Sequence, residues 1–127
     1  MNHRKRVLIV DDERSITRLI RLNLEQTGAY QVLEENSASH ALTAAREFEP
    51  DVILLDVLMP ALDGGNLASR IQQSPGLGRV PIVFLTAAVT KDEVESHHGM
   101  IGGLPFLAKP VDTAELLQCL AQQLPVA

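Results

Sequence analysis

Residues Val52–Pro60 read VILLDVLMP, an unbroken apolar run that ends on an aspartate, with a proline four positions further on. Four apolar residues without polar alternation suit a strand buried on both faces, as in a parallel sheet covered by helices. Aspartate is depleted in strands, and its charge is costly to bury unpaired. The stretch therefore predicts a central strand that ends where something compensates Asp56.

The same grammar recurs on either side. Val7–Val10 reads as a first strand, and Ile16, Leu19, Ile20 and Leu24 then form one stripe of a helix that Gly28 can close. Tyr30–Leu33 is a weaker second strand, followed by a helical stripe of Ala38, Ala41, Leu42, Ala45 and Phe48. After Val52–Leu55 comes a loop through Gly64-Gly65, then a helix carrying Leu67 and Ile71 that stops at Pro75-Gly76. Pro81–Leu85 is a fourth strand. Thr90 to about Met100 carries helix signals, with Thr90 and Glu93 spaced as a capping box over a poor apolar stripe. Leu104–Ala108 is a fifth strand, and Leu116, Leu117, Leu120 and Leu124 mark a final amphipathic helix. Five strand–helix units in this order predict a doubly wound α/β sandwich, one domain over residues 1–127 with its core at about 5–124.

Composition bounds the function. The chain has 127 residues, 46% of them hydrophobic, a size and balance that suit one soluble domain. No stretch approaches the ~18–20 apolar residues of a membrane span, and the Val7–Val10 run is too short for a secretory leader. Eleven basic against sixteen acidic residues leave a net charge of −5, which argues against direct binding of nucleic acid. The basic start His3-Arg4-Lys5-Arg6 reads as a solvated chain beginning. A single cysteine, Cys119, cannot form an internal disulfide, consistent with a cytoplasmic protein.

In sheets of this kind ligands gather outside the carboxyl ends of the strands. Asp11 and Asp12 follow strand one, Asp56 ends strand three, Thr86 follows strand four, and Lys109-Pro110 follow strand five. Taken singly, Asp12 reads as a helix cap, Thr86 as an ordinary β-branched strand residue and Lys109 as a solvated lysine. Together they form a chemical set. Clustered carboxylates repel unless a cation joins them, and oxygen donors in a shallow acidic pocket suit Mg²⁺. His3, His40, His97 and His98 lack zinc-ligand spacing with Cys119. Lys109 and Thr86 offer a positive charge and a hydroxyl to phosphoryl oxygens. A carboxylate can itself be the nucleophile, and Asp56 is the candidate because the two adjacent acids are better placed as metal ligands.

VDDE at Val10–Glu13, LLDVLMPALDG at Leu54–Gly64, FLTA at Phe84–Ala87 and GGLPFLAKP at Gly102–Pro110 together resemble the receiver domain of two-component response regulators. The resemblance runs over essentially the whole chain in order. It implies a flavodoxin-like five-stranded parallel sheet of order 2-1-3-4-5. It implies that Asp56 accepts a phosphoryl group from the phosphohistidine of a sensor kinase or phosphotransfer protein, so that the domain is a signalling phosphoacceptor rather than an enzyme with a separate substrate. Mg²⁺ would be held by Asp12, Asp56 and the backbone carbonyl of Leu58, with Asp11 acting partly through water. The Lys109–Pro110 bond would be cis. Thr86 and Phe106 would form a switch that reshapes the face made by the Thr90–Met100 helix, the fifth strand and the last helix, signalling to a downstream effector. As phenylalanine, residue 106 can switch only by packing, since it has no hydroxyl.

The chain also departs from that pattern. Leu58 and Ala88, two residues past Asp56 and Thr86, are apolar where polar residues often orient hydrolytic water, which suggests a long-lived acyl phosphate. The resemblance allows a phosphorylation-dependent dimer, but the last helix, DTAELLQCLAQQL, lacks the basic residues that would build one through ion pairs on the face of the Thr90–Met100 helix, the fifth strand and the last helix. Competing readings are an aspartyl phosphohydrolase of the haloacid-dehalogenase type, a flavodoxin-like cofactor module and an inactive receiver. The first wants an acid two residues past the nucleophile and meets Leu58. The second lacks any glycine-rich nucleotide fingerprint, and the third must explain a complete set of site residues.

Overall fold

The computed structural model describes residues 4–56, 58–59, 62–87, 100–101 and 104–124. In chain order these form β1 (Lys5–Val10), α1 (Arg14–Gln26), β2 (Tyr30–Glu35), a short 3₁₀ turn (Ala38–His40), α2 (Ala41–Phe48) and β3 (Val52–Asp56). Two short strands, β4 (Leu58–Met59) and β5 (Leu62–Asp63), lead into α3 (Gly64–Gln73). Then come β6 (Ile82–Thr86), β7 (Met100–Ile101), β8 (Leu104–Ala108) and α4 (Thr113–Gln123).

The principal sheet runs β2-β1-β3-β6-β8, all neighbours parallel. This is the expected 2-1-3-4-5 order of the doubly wound fold. Met100–Ile101 adds a short antiparallel sixth strand outside β8. Every residue of β3 and β6 is buried, which explains why their sequences carry no polar alternation. Successive side chains point to opposite faces, so one strand feeds two cores. Leu8, Val10, Ile53, Leu55, Ile82 and Phe84 pack toward α2 and α3. Val7, Ile9, Val52, Leu54, Val83 and Leu85 pack with Ile20, Leu24, Leu116 and Leu120 of α1 and α4. Full burial of one such side chain contributes ~1.5–3 kcal/mol.

Local chemistry sets the element ends. At Gly28, φ is +79° and the amide donates to the Glu25 carbonyl, closing α1 as a residue without Cβ can. Glu49 holds the same left-handed conformation after α2, with φ 52° and ψ 61°. The Asp112 carboxylate caps α4 by accepting from the amides of Ala114 and Glu115.

Several expectations are corrected in detail. Leu19 is 58% exposed, and the buried stripe of α1 is Thr17, Ile20 and Leu24. The second strand extends to Glu35, and α3 starts at Gly64 instead of after a Gly64-Gly65 loop. Lys5 and Arg6 belong to β1, and the Arg6 guanidinium donates to the Phe48 carbonyl while lying 5.7 Å from the ring centroid. Of the helix expected over Thr90–Met100, only Met100 falls within the described residues, and it is in a strand. Ala88 and Pro60 lie outside them.

Candidate phosphoryl and metal site

Sheet register brings the strand ends together. Val10 pairs with Leu55, so Asp11 and Asp56 emerge side by side. Asp56 pairs with Leu85, and Thr86 with Ala108, which sets Thr86 and then Lys109 along the same edge. The amide of Lys109 donates to the Thr86 carbonyl at 2.8 Å, and the Lys109–Pro110 bond is cis. Residues far apart in sequence thus converge because the parallel order places their strands in one row.

Asp11 is wholly buried, Asp56 is 3% exposed and Thr86 is 1% exposed, whereas Asp12 is exposed. Carboxylate oxygens of Asp11, Asp12 and Asp56 all lie within 4.8 Å of one another. The Lys109 ammonium donates to Asp11 Oδ2 at 2.6 Å, sits 3.4 Å from Asp56 Oδ1, and is 3.9 Å from Glu13. Burial pulls the Lys109 pKa down, but the hydrogen bond and charge of Asp11, and then of Asp56, outweigh it and leave the ammonium pKa raised. Lys109 therefore stays cationic wherever the domain is folded near neutrality.

Three carboxylates against one ammonium leave an excess of two negative charges. The donors are hard oxygens, two of them nearly desolvated, so the set fits a divalent cation that prefers oxygen and retains water, as Mg²⁺ does. Leu58 stands two residues beyond Asp56 in the backbone of β4, where it pairs with Asp63. Phe106 is 2% exposed and packed in the core on the α2–α3 side, opposite Phe84 in the register. It therefore occupies an inward position. Beside Lys109, the seam between α1 and the turn before α4 opens as a cavity of about 120 Å³ lined by Ile16, Leu19, Ile20, Pro110 and Val111.

One participant escaped the sequence reading. Asn36, just past β2, donates from Nδ2 to the Asp11 carbonyl at 2.8 Å and to the Thr17 hydroxyl at 3.0 Å. Nothing in the sequence marked it, and only the Val10–Glu35 register brings it alongside Asp11.

A model of the response regulator receiver domain matches residues 7–121. The chain is 35% identical over 113 residues to the alkaline phosphatase synthesis transcriptional regulatory protein PhoP of Bacillus subtilis, covering 88% of this chain and 45% of that protein. It is 32% identical over 127 residues to the sensory/regulatory protein RpfC of Xanthomonas campestris pv. campestris, covering 95% of this chain and 17% of that one. The Vibrio cholerae chemotaxis protein CheY4 superposes with a TM-score of 0.82 at 28% identity, covering 96% of this chain and 100% of that structure. The chain spans about half the length, or less, of the curated relatives it matches.

Proposed function

Because this chain belongs to the response regulator receiver domain family, we propose that it is a single signalling domain whose Asp56 accepts a phosphoryl group from a histidine kinase or phosphotransfer protein. One observation carries the assignment of Asp56. It is the nearly buried carboxylate at the end of the central strand, 3.4 Å from the Lys109 ammonium and within 4.8 Å of Asp11 and Asp12.

In the transfer, an Asp56 carboxylate oxygen attacks the phosphorus of the donor phosphohistidine. The new O–P bond forms as the N–P bond breaks, and the electron pair leaves with the imidazole nitrogen. Asp11, Asp12, Asp56 and the Leu58 carbonyl would hold Mg²⁺, which when bound neutralises charge on the phosphoryl oxygens. Lys109 pairs with a phosphoryl oxygen, exchanging part of its contact with Asp56 for one with the new group. The added group brings about −1.5 to −2 charge and three acceptor oxygens. The Thr86 hydroxyl is a donor for one of these. Phe106 follows by repacking. The domain assists its own phosphorylation and dephosphorylation and turns over no separate substrate.

The α1–α4 seam beside Lys109 is a fitting place for the donor's apolar side chains to insert. Output passes to an effector domain or protein through the β8–α4 side, without nucleic acid or membrane contact by this domain, in the cytoplasm. No described helix is long and apolar enough to cross a membrane. Incubation with acetyl phosphate and Mg²⁺ tests the reading. Intact-mass measurement is expected to show one phosphoryl addition to wild type and none to Asp56→Asn or to wild type in EDTA. Addition that persists in Asp56→Asn would overturn the assignment.

A further inference from the structure

Asp12 is exposed, and among the described residues it makes no hydrogen bond or ion pair. Asp11, in contrast, is held at every polar atom. Its amide donates to the Glu35 carbonyl at 3.1 Å, Oδ1 accepts from the Glu13 amide at 3.0 Å, and Oδ2 accepts from Lys109. Its carbonyl accepts from Asn36. That carbonyl belongs to the planar peptide joining Asp11 to Asp12. Fixing the oxygen fixes the plane, and the plane sets the direction in which Asp12 leaves the backbone.

Asn36 is itself oriented. Its two amide hydrogens have two acceptors, the Asp11 carbonyl and the Thr17 hydroxyl. Thr17 is wholly buried and donates to Glu34 Oε1 at 2.8 Å, and Glu34 Oε2 accepts from Arg21 at 3.0 Å. A connected network therefore links the surface of α1 to the peptide between the two acids, with Glu34 accepting from both Arg21 and Thr17 and Asn36 donating to both Thr17 and Asp11. With its carboxamide oxygen turned this way the side chain would lose the Asp11 carbonyl outright and could keep Thr17 only if that hydroxyl gave up Glu34, so the amide orientation follows from the network.

We infer that Asn36 is a positioning residue of the metal pocket: its bond to the Asp11 carbonyl locks the Asp11–Asp12 peptide and so aims the Asp12 carboxylate at the cation. The inference rests on the metal-dependent reading of the site above. It concerns Asp12 alone, because Asp11 and Asp56 have their own anchors.

Isothermal titration of Mg²⁺ into the full, unphosphorylated chain tests it without reference to activity. Outer hydrogen-bond partners of metal ligands typically govern affinity by about 10–100-fold. Asn36→Leu, close in shape but without donors, is expected to weaken Mg²⁺ binding about tenfold. In an Asp12→Asn background the same change is expected to cost less than about twofold, because the ligand it aims is gone. Asn36→Ala serves if the leucine variant does not fold. Thr17→Val is expected to weaken binding less than either, since it leaves the Asn36–Asp11 bond in place. Unchanged affinity in folded Asn36 variants, or an equal loss with and without Asp12, would overturn the inference while leaving the metal site standing. Absence of Mg²⁺ binding by wild type would overturn both.

Discussion

Lys109→Met removes the ammonium at the centre of the site and keeps an unbranched stem of similar length. In wild type the lysine side chain is 8% exposed and bridges Asp11 at 2.6 Å and Asp56 at 3.4 Å. Without it, two nearly buried carboxylates face each other within 4.8 Å. Two unit charges at that distance repel by about 3.5 kcal/mol at an effective dielectric of about 20. Stripping one partner from a buried ion pair typically costs ~3–5 kcal/mol, so the two routes agree. For a chain of this size each kcal/mol shifts the melting temperature by ~3–5 °C, so a fall of ~10–20 °C is expected in a chelating buffer. Mg²⁺ at a hundred times its dissociation constant stabilises the folded state by about 2.7 kcal/mol. Wild type gains the same at that ratio, so the deficit narrows through the tighter Mg²⁺ binding expected where no ammonium offsets the acids. Differential scanning calorimetry of wild type and variant, in EDTA and in excess MgCl₂, measures all four values. A variant melting within ~3 °C of wild type in EDTA, or a deficit that Mg²⁺ does not lessen, would refute the electrostatic account of this pocket.

Two further expectations concern the scaffold. Burial nudges the Glu25 carboxyl upward, but the Val32 amide and the Arg21 guanidinium outweigh it and hold its pKa below the ordinary value. A lowered folded-state pKa contributes stability above the unfolded value that is lost as pH falls through the folded one. Glu25→Gln should thus cost a little denaturant resistance at neutral pH and nothing in acid; a difference constant across that range would contradict the assignment. Glu49 sits at φ 52° after α2 and is exposed. Glu49→Gly should relieve the left-handed strain and, after the entropy cost of glycine, raise stability by about 0.5–1 kcal/mol; a lower melting temperature would count against it.

The parallel core was legible because β1, β3 and β6 are buried on both faces and therefore write themselves as apolar runs. The site was legible for a related reason. Asp11, Asp56, Thr86 and Lys109 follow strands whose ends are easy to find, and the strand order does the rest. What periodicity hid is what depends on partners. Leu19 scored as core although it faces outward, while Thr17 is buried because Glu34 and Asn36 satisfy its hydroxyl. The two-residue strands β4, β5 and β7 are too short to leave a pattern. Asn36 gave no signal at all, since its importance arises from the alignment of β2 with β1 and not from its neighbours in sequence.

The ion pair between Asp11 and Lys109 spans 98 positions of the chain. During synthesis at ~5–20 residues per second, the three acids leave the ribosome well before the lysine that offsets their mutual repulsion. A growing polypeptide that stops short of Lys109 carries the acids that follow β1 and end β3 without the ammonium that pairs with them. Under the proposed function, the pairing of Asp56 with a lysine would arrive only with β8, the last of the parallel strands to be made.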